Sequence, residues 1–184
     1  MTTYKEYVSF LAQNKIDKNF INSDQEHALA VFVNLFKNAQ EIVRIFAGCL
    51  ASKVSNDSEY IIAISDFIEQ GGTLKILLNK FDEIAAKNSN LIKRLSFYKY
   101  QGKPIFIKKT DAKPYYASDP EKNEIHFTVV DALAYRIETD IETRTADCNF
   151  NNEPLAKNIA ALFDKVFDDP DSVDVDLISL FKSN

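Results

Sequence analysis

The chain has 184 residues, of which 46% are hydrophobic and 27% are charged, and its formal net charge is −5. This length fits one domain with a sizeable core but is too short for two, and the composition is ordinary for a soluble globular protein. No apolar run approaches the roughly 20 residues of a membrane-spanning helix, and the N-terminus lacks the pattern of a secretory signal. Two isolated cysteines, Cys49 and Cys148, exclude a disulfide framework and favour a cytoplasmic location.

The first half of the chain alternates predicted helices with buried strands. Hydrophobic spacing and capping residues predict helices over 3–14, over 23–39 with a capping box at 23–26, and from residue 57 or 58 to the Gly-Gly pair at 71–72. Continuous apolar runs predict strands at 41–48 and 73–80, on either side of the third helix. These two strands and that helix form a β-α-β unit, which implies parallel strands joined by a right-handed crossover.

The second half is predicted to be richer in turns, because all five prolines lie at or beyond Pro104. A helix over about 82–95 leads into this region. Short strands are expected at 104–110, 114–118, 124–130 and 134–138. A wide apolar face predicts a core helix over 152–167, and residues 175–181 fit a last short helix.

Charge is unevenly distributed along the chain. Residues 164–184 carry a net charge of −4, whereas residues 93–113 hold seven basic residues and one acidic residue. The basic segment is interleaved with aromatic residues, a combination that binds single-stranded nucleic acid. The alternative is that its lysines protect exposed strand edges from aggregation. The candidate nucleic-acid-binding residues are Lys99, Lys103, Lys108, Lys109 and Lys113, and the acidic tail either covers them or forms an ordinary solvated helix.

The region from 125 to 150 carries the clearest functional pattern. It reads IHFTVVD, then AYRIE, then TADCNF, which places His126 on a strand and an Asn-Phe pair at the entrance of the C-terminal helix. This order resembles the catalytic half-site of the phospholipase D superfamily, whose pattern is H-x-K-x-x-x-x-D followed by G-S-x-N. The chain carries one degenerate copy of this half-site. Thr128 takes the lysine position, and Asp131 follows the histidine by five residues where the family places it seven after.

The resemblance extends to the N-terminal half, where INSDQEHA, AQEIVRIFAGCL and DFIEQGGTLKILLN follow the family's order. It implies a phospholipase D-like α/β sandwich over residues 20–168, with a mixed β-sheet flanked by helices. An extra helical extension at 1–19 and an acidic tail at 169–184 would flank this domain. The resemblance also implies a ligand cleft where the histidine strand meets the helix that begins near Glu153.

In the superfamily, two histidines face each other across a phosphodiester, one attacking phosphorus and the other protonating the leaving oxygen. One half-site suffices when two identical chains each contribute a histidine. The resemblance implies that His126 and Asn149 line one concave surface. Arg136 is the candidate cation in place of the missing lysine, and Glu138 or Asp147 is the candidate partner of the imidazole. The two histidines and the separated cysteines do not form a zinc-binding pattern, so we predict neither metal nor cofactor.

Three hypotheses of function stay open. The first is a cytoplasmic, catalytically degenerate phospholipase D-like domain that serves as a binding or assembly subunit. It would bind nucleic acid or a phosphodiester, alone, as a homodimer or with a partner protein, in bacterial nucleic-acid or phage-defence machinery. The second is a homodimeric, metal-independent phosphodiesterase or nuclease that uses His126 from two chains. The third is a scaffold protein without a ligand.

Overall fold

One mixed sheet organises residues 2–181, which are the residues described in this computed structural model. Its strands are β1 Phe20–Asn22, β2 Ile42–Ala47, β3 Thr73–Leu78, β4 Ile105–Lys109, β5 His126–Val130, β6 Ala134–Asp140, β7 Thr145–Asn149 and β8 Val173–Asp174. They lie in the order β1-β7-β6-β5-β2-β3-β4-β8. The neighbours β2, β3 and β4 are parallel and the other pairs are antiparallel, so the predicted mixed sheet is confirmed.

Helices cover both faces of the sheet. They are α1 Tyr4–Gln13, α2 Gln25–Asn38, α3 Ser58–Glu69, α4 Glu83–Asn88, α5 Asn90–Tyr100, α6 Glu153–Phe167 and α7 Leu177–Leu180. The larger core joins the first three helices and α5 to one face, which includes Ile45 and Ile76. The smaller core joins α6 to the other face, which includes Phe46 and Phe127. The result is a sandwich of helix layers around a central sheet, as the sequence predicts.

The β2-α3-β3 unit forms as predicted, and both glycines at its turn have a structural reason. Gly71 ends α3 with a φ of +96°, a conformation that side chains with a Cβ rarely adopt. A Cβ on Gly72 would collide with the ring of Phe67. The predicted cap of α2 is wrong by one residue, because the carboxylate of Asp24, rather than Ser23, accepts a hydrogen bond from the His27 amide at 2.8 Å.

The structure differs from the sequence prediction in three respects. The helix expected over 82–95 is broken at Ser89, whose hydroxyl accepts a hydrogen bond from the Ile92 amide, and its second part extends to Tyr100. The strand expected at 114–118 is reduced to one bridge between Tyr115 and Glu124, within a long loop. The short strands β1, β7 and β8 were not expected, because none of them has the apolar run or clear alternation that indicates a strand.

The C-terminal segment adds to the sheet as far as it is described. Strand β8 pairs with β4, with Asp174 opposite Lys108, and Leu177 is buried. Residues 182–184 of the predicted tail lie outside the described residues. The domain limits at 19–20 and 168–169 stay a prediction. Across the described part of the chain, no helix combines the length and apolar character needed to span a membrane.

Candidate functional site

A cavity of about 240 Å³ opens at the end of the sheet where β2 and β3 finish and β5 begins. We call this cavity and its rim the His126 cleft; its polar walls include Lys80, His126, Thr128, Arg136, Glu138 and Arg144. The loop after β2 and residues from α2 and α3 complete it. This is where a ligand site is expected from the topology of the sheet, since ligands of open α/β sheets commonly bind beyond the carboxyl ends of the strands.

His126 lies between two carboxylates. Its Nε2 is 2.9 Å from Glu124 Oε1, and its Nδ1 is 3.5 Å from Glu138 Oε2. Only 8% of the residue is exposed. The ring also lies against the backbone of Gly48, where an added Cβ would come within 3.5 Å of the imidazole. The imidazole is therefore held in one place, with a carboxylate oxygen facing each ring nitrogen.

Glu124 is bound by three donors at the cleft. The side-chain amide of Asn79 donates to Oε1 at 2.8 Å, His126 approaches the same oxygen, and Lys80 Nζ lies 3.3 Å from Oε2. Burial alone would raise the pKa of Glu124, but the hydrogen bonds from Asn79, His126 and Lys80 outweigh it and lower the pKa below the ordinary value. The carboxylate is therefore anionic at neutral pH and is held by donors that suit an anion.

The side chain of Arg136 is buried and hydrogen-bonded within the protein. Its Nε donates to Asn22 Oδ1 at 2.8 Å, its Nη2 donates to Glu138 Oε1 at 3.1 Å, and its guanidinium lies 4.6 Å from the centre of the Phe32 ring. Only 2% of the residue is exposed. These fixed partners hold Nε and Nη2 in the wall of the cleft, so neither group is free for a ligand at the mouth.

Arg144 is the more accessible arginine of the site. It lies in the β6–β7 turn with a φ of +64°, and its carbonyl accepts hydrogen bonds from Asn22 Nδ2 and Arg136 Nη2. Its Nη1 is 3.3 Å from Glu138 Oε1, while 30% of its side chain is exposed. Burial opposes ionisation of Glu138, but the hydrogen bond with His126 and the charges of both arginines lower the pKa of this carboxyl overall.

Asp147 and Asn149 lie on the opposite side of the sheet from His126, so the prediction of a shared concave surface is wrong. In the register of β6 and β7, Asn149 is opposite Tyr135, whereas Arg136, which faces the cleft, is opposite Cys148. Side chains alternate along a strand, so a difference of one residue moves a side chain to the other face. The amide of Asn149 donates instead to Asp17 and Asn19, at 2.9 and 2.7 Å.

The five lysines of the basic segment do not form one surface. Lys108 lies on the α6 face, where its Nζ donates to the Phe167 carbonyl at 2.8 Å. Lys99 donates to the Ile105 carbonyl at the far end of β4, and Lys103 and Lys113 lie in the loops on either side of that strand. Lys109 lines a shallow groove that shares Lys80 with the His126 cleft. Their binding of nucleic acid stays a prediction.

Three residues of the site, Asn79, Lys80 and Glu124, were missed from the sequence. Asn79 and Lys80 follow β3, and Glu124 lies two residues before His126. The sequence offered a weak signal for each, since polar residues after a parallel strand often face a ligand and residues two apart on a strand share a face. Within residues 2–181, no three His, Cys, Asp or Glu side chains are grouped so that they could hold a metal ion.

Comparison with solved structures identifies the fold. The chain is similar to TrmBL2, an archaeal chromatin protein described by its mode of DNA binding, with a TM-score of 0.61 and 13% identity over 93% of this chain and 61% of that one. Nuc, a phospholipase D family member from Salmonella typhimurium, gives a TM-score of 0.56 and 11% identity over 86% of this chain and 99% of Nuc. NucT from Helicobacter pylori gives 0.57 and 12% over 87% of this chain and 100% of NucT.

These similarities confirm the predicted phospholipase D-like α/β fold. Identities of this size establish architecture alone, because one fold supports many functions. No family model and no curated protein matches the sequence. The comparisons do not address the H-x-K-x-x-x-x-D motif, so its degeneracy stays a prediction from the residues of this chain.

Proposed function

We propose that this protein is a phospholipase D-like domain that binds a phosphate group of a nucleic acid in the His126 cleft without hydrolysing it. The observation that supports this most is the set of donors around the Glu124 carboxylate, formed by Asn79, Lys80 and His126. A phosphate oxygen accepts the same hydrogen bonds as a carboxylate oxygen. A phosphate that displaces Glu124 would therefore find its donors already in place.

The charges at the mouth of the cleft support an anionic ligand. Lys80 and Arg144 are both accessible, with 59% and 30% of their side chains exposed. The groove beyond Lys80 contains Lys109 together with Asp111 and Asp171, so the accessible positive charge is concentrated at the mouth. The comparison with TrmBL2, whose DNA binding is described, favours nucleic acid over other polyanions by analogy of fold.

We attribute the absence of hydrolysis to the cation that this site lacks. Thr128 supplies no charge at the position where the family has lysine. Removing one positioned donor from a reaction centre costs roughly 3–4 kcal/mol of transition-state stabilisation, and loss of a cation should cost a similar amount.

The test is binding of a fluorescent single-stranded oligonucleotide, measured by anisotropy at several salt concentrations. Lys80→Glu should weaken binding at least tenfold and reduce the dependence on salt, because a phosphate contact is lost. Lys165→Glu, an exposed residue of α6 on the other side of the sheet, is the control with the same change in charge. Equal affinity of both variants and the unchanged protein would overturn the proposal.

An enzymatic function is the second candidate, favoured by one contact. His126 Nδ1 lies 3.5 Å from Glu138, and a carboxylate that orients an imidazole is part of many nucleophilic sites. In this hypothesis two chains pair and each contributes His126. Metal-independent hydrolysis of bis(p-nitrophenyl) phosphate that disappears in His126→Ala would establish it and would replace the binding proposal. We expect no such hydrolysis.

The proposal also includes a cytoplasmic location and partners for the protein. Both cysteines are free thiols, which is compatible with a reducing cytoplasm. Self-association, a partner protein and a place in phage-defence machinery stay predictions of the resemblance. Co-purification of the intact protein with its partners is the measurement that addresses them.

A further inference from the structure

The wall of the His126 cleft carries two hydroxyl groups without a protein partner. Thr128 and Tyr60 both line the cavity, and each is 2% exposed. Among the described residues, neither hydroxyl makes a hydrogen bond. Burial raises the pKa of Tyr60, so its hydroxyl is neutral and can both donate and accept. Both residues line the cavity, so their hydroxyls are available to form hydrogen bonds with a polar ligand.

Much of the remaining wall is apolar and includes Ala28, Phe32, Ile45, Val54 and the ring of Tyr60, next to the buried Arg136–Glu138 ion pair. The Phe32 and Tyr60 rings lie 5.2 Å apart, and the Arg136 guanidinium lies 4.6 Å from the centre of the Phe32 ring. The cleft therefore has a charged mouth at Lys80 and Arg144 and a largely apolar interior with hydroxyl groups and one ion pair in its wall. A ligand that matches both parts carries an anionic group next to a flat body with polar edges.

We infer that the interior of the His126 cleft receives one unpaired nucleobase, while the adjoining phosphate lies at the mouth. The inference rests on the proposed function and names the form of its ligand. A free phosphate would leave the apolar walls without contact, and an acyl chain would leave both hydroxyls unsatisfied. A base in a duplex cannot enter without leaving its stack, which costs a few kcal/mol and least for single strands. The ligand is therefore single-stranded nucleic acid or a mononucleotide.

The experiment compares two kinds of ligand, one with a base and one without. Binding of the four deoxynucleoside 5′-monophosphates and of deoxyribose 5-phosphate is measured by titration calorimetry on the intact protein. We expect at least one nucleotide to bind tenfold or more tightly than the sugar phosphate. Tyr60→Phe and Thr128→Val, which remove the hydroxyls and keep the shape, should each reduce this ratio several-fold. Tyr98→Phe is the control, because its hydroxyl is bonded to Glu69 at 2.6 Å.

Each outcome decides between the two proposals. Equal affinity for the nucleotides and the sugar phosphate overturns the inference and leaves the phosphate site intact. An unchanged ratio in both hydroxyl variants also overturns it, provided that thermal melting shows them to be folded. If neither kind of ligand binds and the oligonucleotide does not bind either, the proposed function itself is wrong.

Discussion

At the residue scale, the position of Glu124 governs what the cleft can do. Its carboxylate occupies the donors of Asn79, Lys80 and His126, so the phosphate of the proposed ligand would have to displace it. The Glu124 carboxylate thus marks a group of donors that suits an anion, and it would compete with an anionic ligand for them. The donors are satisfied in the free protein, which avoids leaving a buried imidazole and amide without partners.

Replacing Glu124 should strengthen binding of an oligonucleotide. In Glu124→Gln the competing negative charge is gone while the side chain keeps its size, so we expect affinity to rise several-fold at low salt. Anisotropy titrations measure this change. Glu121→Gln, an exposed position in the same loop, is the matched control and should have little effect. A weaker or unchanged affinity in Glu124→Gln would show that the carboxylate does not occupy the ligand site.

Glu138 should contribute to stability with a defined pH dependence. Burial alone would raise its pKa, but His126, Arg136 and Arg144 lower it below the ordinary value of 4.5. A carboxyl with a lowered pKa in the folded state stabilises the fold above its unfolded pKa, and this contribution is lost as the pH falls through the folded pKa. Urea titrations should therefore show a decline in stability below about pH 4.5.

Glu138→Gln provides the comparison at this site. At neutral pH it removes the charge that pairs with two arginines, and breaking a buried pair in this way costs about 3–5 kcal/mol. Its stability should also depend less on pH in the acid range, because one titrating carboxyl has been removed. An acid decline as steep as that of the unchanged protein would place the pH dependence elsewhere.

At the element scale, Asp131 connects two strands and a helix. Its carboxylate accepts hydrogen bonds from the backbone amides of Gln40, Glu41 and Ile42, at 2.7, 2.9 and 2.8 Å, where α2 leads into β2. The residue also adopts a φ of +51° just after β5. The aspartate that the resemblance places in the catalytic motif is thus a structural link between elements in this chain.

Asp131→Ala should destabilise the protein without changing the cleft. Hydrogen bonds to a charged group contribute about 1.5–3 kcal/mol, and three amides lose their acceptor here. We expect a loss of about 2–3 kcal/mol in the free energy of unfolding, measured with urea. Asp131→Asn keeps an acceptor oxygen and should lose less. Equal losses in the two variants would mean that these hydrogen bonds do not carry the effect.

The existence and register of strand β7 could not be predicted from the sequence. The apolar runs at 41–48 and 73–80 identify a buried parallel pair because their own composition requires burial on both faces. In β7 the sequence TADCN mixes small and polar residues, so its register and even its existence depend on pairing with distant strands. A one-residue difference therefore placed Ala146 and Cys148 towards the cleft side, where Asp147 and Asn149 had been expected.

At the scale of the whole molecule, the order of elements predicted the fold better than the motif predicted the site. The β-α-β unit, the histidine strand and the C-terminal core helix are all present, and solved structures confirm the phospholipase D-like architecture. The cleft, by contrast, is lined by Lys80, Arg136 and Arg144 and supported by contacts with Asn22 and Glu124, and these residues are spread along the sequence. Contacts between such residues form only in the folded chain, so no local sequence pattern predicts them.

The nitrogen resonances of His126 test the central claim most directly. The chain contains only two histidines, so the ring signals of His126 and of His27, which stacks on Tyr4 outside the cleft, can be followed separately by ¹⁵N NMR during titration with a single-stranded oligonucleotide. We predict that the His126 signals move to saturation, that those of His27 stay in place, and that the oligonucleotide is recovered intact. Binding that leaves His126 unmoved, or recovery of a cleaved oligonucleotide, would contradict the account.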